Sequence, residues 1–87
     1  MTTEIRLLRV NAAADITGTS VSEYYSRAAR GLVPPLLKIG VKASRVPSYE
    51  LDIVNKARIA GRSDAQIREI VRGLVKAREH LLDDAVQ

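Results

Sequence analysis

Apolar stretches punctuated by glycine and proline divide the 87-residue chain into short elements. Residues 5–10, Ile-Arg-Leu-Leu-Arg-Val, are rich in branched aliphatics and predict a small strand or an extended lead-in. Asn11 offers an N-cap for a two-turn helix over residues 12–17, and Gly18 stands where helices stop. After Thr19, the run Ser20-Val21-Ser22-Glu23 reads as a capping box: the Ser20 hydroxyl accepts from the Glu23 amide and the Glu23 carboxylate reaches back. A second helix is predicted from there to Arg30, with Gly31 ending it. On it Tyr24 and Ala28 are four apart and Leu32 continues their face, which assigns the three to the core. Ser22, Tyr25, Ser26 and Arg27 then face outward.

Leu32-Val33-Pro34-Pro35 is incompatible with helix, because Pro35 excludes Pro34 from the α region and neither proline has an N–H. Residues 36–39 predict a strand, Gly40-Val41-Lys42 a turn with a basic tip, and residues 43–46 a returning strand ended by Pro47. Two helices joined by a short glycine-containing turn, followed directly by a β-hairpin, predict a winged helix-turn-helix. Ser48 is the expected N-cap of a third helix over residues 49–60, with Leu51, Val54, and Ala57 or the Arg58 stem as its apolar stripe and Ile53 beside it. Gly61 stops that helix. Ser63-Asp64-Ala65-Gln66 is a second capping box, opening a fourth helix to about Leu82. Ile67, Ile70, Val71, Leu74, Ala77 and Leu81 recur on one of its faces, and the same 3–4 spacing puts Arg78 at a core position before Leu81. Residues 83–87 are expected to fray. The fold expected is thus mainly α with a small β-hairpin wing. A winged helix-turn-helix domain is expected over residues 1–60, and a C-terminal helix over residues 61–87 is expected either to pack on it or to mediate dimerisation.

Composition narrows the function classes. At 46% hydrophobic and 28% charged residues, the chain is neither disordered nor membrane-spanning. Its start carries an acid and no apolar stretch of the kind a secretory signal needs. The absence of cysteine removes disulfides, thiolate nucleophiles and cysteine-ligated metals, and one histidine leaves no His pair for a metal. Ser20 has no histidine to form a triad with, since His80 lies on the tail helix; no glycine-rich phosphate loop appears. Neither catalysis, a cofactor nor a small-molecule effector is expected. The net charge of +4 is lopsided: residues 1–47 carry seven bases against three acids, while residues 48–87 carry seven of each. A polyanion partner fits that asymmetry, and places Lys42 and Arg45 of the wing and Arg30 as phosphate contacts, with Arg6 and Arg9 open to the same role.

The segment Leu7-Leu8-Arg9-Val10-Asn11 through Ile16-Thr17-Gly18-Thr19-Ser20, then Ala29-Arg30-Gly31-Leu32-Val33-Pro34 and Lys38-Ile39-Gly40, resembles the AlpA-type prophage regulators of the wider excisionase/MerR-like group of winged helix-turn-helix domains. The resemblance covers about residues 5–58. It implies binding to double-stranded DNA as a transcriptional activator or repressor, or as a recombination directionality factor in prophage excision. Ser20, Ser22 and Tyr25 match the family's recognition helix, while Val21, Glu23 and Ser26 stand where a base, a threonine and an arginine are usual. With Arg27 and Arg30 as the cations nearby, the expected DNA-binding set is Ser20, Ser22, Tyr25, Ser26, Arg27, Arg30, Lys42 and Arg45. The expected place of action is the bacterial or phage-infected cytoplasm, at the nucleoid. Residues 64–82 leave open either self-packing or a homodimer. A protein-interaction module of the same fold is the rival from another class.

Overall fold

The computed structural model describes residues 4–86. In chain order the elements are β1 (Leu7–Leu8), α1 (Val10–Ile16), α2 (Val21–Ala29), β2 (Leu37–Lys38), β3 (Ser44–Pro47), α3 (Ser48–Ile59), α4 (Asp64–Ala77), a single 3₁₀ turn (Arg78–His80) and α5 (Leu81–Val86). The molecule is mainly helical, with one three-stranded antiparallel sheet ordered β1-β3-β2. Leu7 and Leu8 face Pro47 and Val46 across the sheet, and Leu37 and Lys38 face Arg45 and Ser44. Among the described residues no helix is long and apolar enough to cross a membrane.

Two of the expected caps are replaced by other arrangements. Asn11 lies inside α1 rather than before it; Arg9 is the N-cap residue, in extended conformation and without a side-chain hydrogen bond. Leu8 and Val10 both pack against the core, so the helix begins directly where β1 ends, two residues earlier than polarity suggests. Ser48 likewise caps nothing. Its hydroxyl accepts from the Arg6 N–H at 3.1 Å and its own N–H donates to the Arg6 carbonyl at 2.8 Å, tying the start of α3 to the lead-in of β1. Pro47 takes the cap position, where its missing N–H costs the sheet nothing further.

The other punctuation follows the local chemistry. Ser20 accepts from the Glu23 amide at 3.1 Å. The reciprocal arm of that box is absent because the Glu23 carboxylate pairs with Arg27 one turn on, at 3.2 Å. The Ser63–Gln66 box is complete in both directions. Gly18 and Gly31 sit at φ of 73° and 74°, where a side chain would strain the backbone. Beyond each glycine the next N–H closes back onto the helix, Thr19 to the Ala14 carbonyl and Leu32 to that of Arg27.

The core has two parts. Ala13, Ala14, Tyr24, Val33, Val46 and Leu51 form one cluster; Leu32, Val54, Ala57, Ile67 and Val71 form the other. Tyr24 and Leu32 are buried as their spacing predicts, with Ala28 half-buried. Small residues on α1 let it lie close to α2 and β3, as the complete burial of Ala13 requires. Leu32 and Val33, adjacent in an extended strap, point into different clusters and so join them.

The fourth helix departs from the single rod the sequence suggests. Only Ile67 and Val71 of its stripe are fully buried; Ile70 and Leu74 are half-buried, and Ala77 and Leu81 are exposed. The rod tightens into the 3₁₀ turn where Arg78 turns inward. Its guanidinium grips the Glu50 carboxylate at 2.5 and 2.9 Å and donates a further hydrogen bond to the Pro35 carbonyl at 2.9 Å. Glu50 has no exposed surface at all. The tail stays helical to Val86 where fraying was expected, while Gln87 lies outside the described residues, as do Met1 to Thr3.

A chain ending at Gly61 would expose Leu32 and Val54 and strand the buried Glu50 without its arginine. Losing an ion-pair partner in such a site costs about 3–5 kcal/mol, and deleting the α4 contacts adds to that. The truncation is expected to show no cooperative thermal transition by circular dichroism; a sharp transition near that of the full chain contradicts this account.

Burial, then the Glu50 charge, pushes the Tyr24 hydroxyl well above the ordinary tyrosine range, and Tyr49 is raised for the same reasons. A group raised on folding stabilises the native state fully below its unfolded pKa of about 10, and that contribution fades as pH climbs from there toward the folded value. Stability from urea titrations is therefore expected to fall above about pH 10. Tyr24→Phe loses about 1 kcal/mol at neutral pH through its Pro34 hydrogen bond, and shows a shallower alkaline fall.

Candidate nucleic-acid interface

With Tyr24 turned into the core, α2 presents Val21, Ser22, Tyr25, Ser26 and Ala29 to solvent. The Tyr24 hydroxyl donates to the Pro34 carbonyl at 2.7 Å, which fixes the rotation of α2 about its axis. Tyr25, next along, is therefore held outward and is 51% exposed. The β2–β3 hairpin runs past this side of the molecule, and the N-terminal end of α1 closes the third side. Between them lies an open groove of about 490 Å³. Arg9 and Asn11 line it from α1 and the residue before it, Tyr25 from α2, and Lys42, Ser44 and Arg45 from the hairpin.

Its electrostatics are one-sided. Three cations line the groove and no carboxylate does. The Arg45 guanidinium donates to the Ser44 carbonyl at 2.8 Å, which lays it back along its own strand rather than free in solvent. No acid–base pair lines the groove, and among the described residues no three His, Asp or Glu side chains gather as a metal site would require. The arrangement suits binding of an anionic surface through cations and hydroxyls, with an aromatic plane beside them.

The sequence-derived residues divide into three groups. Tyr25, Lys42 and Arg45 come together in the groove. Ser22 and Ser26 stay exposed on α2 outside it, while the Ser20 hydroxyl is engaged as the N-cap. Arg27 and Arg30 are differently placed. Arg27 is half-buried and spends its charge on Glu23. At the C-terminal end of α2, the Arg30 backbone carbonyl accepts from the Arg68 guanidinium of α4 at 2.9 Å. The Arg58 guanidinium bonded to Asp64 holds that carboxyl below its usual range, and the charges of Arg68 and Arg30 add to the effect. Arg30 is exposed and lies outside the groove lining, and its charge is the least of those acting on Asp64.

Asn11 and Ser44 join the groove without having been singled out for it. Asn11 was assigned to capping, and Ser44 becomes legible only through strand register, which sets it opposite Lys38. Arg9, open to a phosphate role on sequence grounds, lies in the lining. Compared with protein-family models, curated proteins and solved structures, the chain matches none.

Tyr25 and Lys42 are both exposed and make no side-chain hydrogen bond within the described residues. Tyr25→Ala and Lys42→Ala are expected to shift stability by no more than about 0.5 kcal/mol in urea titrations. Ser20→Ala, which removes the cap of α2, costs about 1 kcal/mol in the same assay.

Proposed function

We propose that this chain is a winged helix-turn-helix protein that binds double-stranded DNA sequence-specifically and regulates transcription, in the manner of the AlpA-type prophage regulators it resembles. The observation that carries the reading is the groove itself: Arg9, Lys42 and Arg45 converge beside Tyr25 on the flank of α2 with no acid among the lining. In this reading α2 lies in the major groove. Ser22, Tyr25 and Ser26 reach base edges, while the three cations hold phosphates and fix the helix in register. Excisionase action in recombination needs the same surface and is the sister reading. Homodimerisation through residues 64–82 would double the contact area on DNA; Leu81 and Leu82 are exposed apolar residues available to it. Sedimentation equilibrium is expected to report a dimer on that reading.

The protein-interaction alternative draws its support from α2, where Arg27 is tied to Glu23 and Val21 offers no charge. Salt dependence separates the two. Three phosphate contacts give a slope of log K against log salt of about −3 on duplex DNA. Lys42→Ala is expected to flatten that slope by about 0.9 and to weaken all sequences alike. Tyr25→Ala or Ser22→Ala instead narrows the gap between a selected operator and random duplex. No binding to any duplex at low salt would defeat the DNA reading and favour the interaction module.

A further inference from the structure

The strap between α2 and β2 carries the hairpin, and its carbonyls are held in an unusual way. Pro34 and Pro35 have no N–H groups, so this stretch cannot anchor itself by donating to a neighbour. Two side chains from distant parts of the chain do the anchoring. Tyr24 of α2 donates to the Pro34 carbonyl, and Arg78, beyond the end of α4, donates to the Pro35 carbonyl. Arg78 is in turn fixed by two hydrogen bonds to Glu50, which the first turn of α3 holds in the interior. Two residues after Pro35 the chain enters β2, whose pairing with β3 carries the loop that bears Lys42.

We infer that Arg78 is a positioning residue for the groove. Among the described residues it makes no hydrogen bond to the lining, yet it fixes the strap from which the hairpin departs, and so sets where Lys42 and Arg45 stand relative to Tyr25. The planar guanidinium suits the task because one group serves a carboxylate and a carbonyl at once; a lysine ammonium, a point charge on a flexible stem, reproduces the charge without the fork. The C-terminal segment is thereby part of the binding apparatus. This inference rests on the DNA-binding reading for its functional consequence, but not for its structural one.

The test uses the full chain with Arg78→Lys, and separately with Glu50→Leu and Arg78→Met combined. The second variant replaces the buried ions with apolar groups of similar size, a change that generally preserves folding. Two measurements are made on each: backbone ¹⁵N order parameters over residues 36–45, and the salt dependence of duplex binding. Lower order parameters over those residues, with α1 and α2 unchanged, are the expected structural result. If the hairpin is docked in only a tenth of the molecules, the apparent Kd rises about tenfold. The slope also flattens by up to about 1.8 as Lys42 and Arg45 leave the phosphates. A merely structural role would reduce the folded fraction without changing order in the folded molecules or the slope. Order parameters and slope equal to those of the parent overturn the inference, and so does failure of both variants to fold. A parent that binds no duplex, combined with variants whose hairpin is loosened, supports the positioning role and refutes the DNA reading instead.

Discussion

A fully buried carboxylate organises this small protein. Glu50 sits in the first turn of α3 with no surface exposed, and isolated ionised carboxylates do not survive in such surroundings. Arg78 supplies two hydrogen bonds and the opposite charge, while a further N–H of its Nη2 goes to the Pro35 carbonyl. The net contribution of such a pair to stability is small, since the attraction mainly offsets desolvation. Its consequence is geometric. A forked guanidinium on a carboxylate and a carbonyl restricts the relative placement of α3 and the tail more narrowly than apolar contact alone. Three segments remote in sequence, the Pro34–Pro35 strap, the start of α3 and the end of α4, are locked at a single point.

The two core clusters are also joined through the chain itself. Cluster membership is divided along the chain, with α1, α2 and the sheet on one side and the facing sides of α3 and α4 on the other. Leu32 and Val33 bridge them through the backbone, and Leu51 and Val54 bridge them along one face of α3. Each cluster alone is small, five or six buried residues with no aromatic beyond Tyr24. A chain of this length buries only roughly 60–65% of the surface its unfolded form exposes, so neither cluster can be spared.

Much of this was legible from local chemistry. Glycines at left-handed positions marked the ends of α1, α2 and α3, the Ser20 and Ser63 caps the starts of α2 and α4, and the proline pair the lead into the hairpin, because each signal acts within a few residues of itself. Asn11 and Ser48 failed as caps because each position had a stronger, non-local claim on it: Val10 had to reach the core, and Ser48 had to meet Arg6 across forty-two residues of chain. Arg78 looked like a flaw in an apolar stripe. It is a flaw only for a helix pairing with a twin; for a helix folding back, the same position meets Glu50, whose burial no local pattern announces. The groove had the same partial visibility. Lys42 and Arg45 announced themselves by charge, while Arg27 and Arg30, equally basic, lie outside the lining, Arg27 paired with Glu23.

The position of those two arginines outside the groove changes what the proposed interface must rely on. With about three phosphate contacts, raising salt from 50 to 200 mM weakens binding only about fortyfold, far less than for proteins that make six to ten. A surface with so little non-specific attraction gains less from sliding along any duplex and depends more on the base edges it meets. The hydroxyls of Ser22 and Ser26 and the ring of Tyr25 are short or rigid groups, which lose little conformational entropy on contact but tolerate little misplacement. Readers of that kind demand a helix held at a fixed rotation and a hairpin held at a fixed distance. On the proposed reading the Tyr24 bond to Pro34 answers the first demand and the Arg78 bond to Pro35 the second, two adjacent carbonyls that would tie the order of the core to the selectivity proposed for its surface.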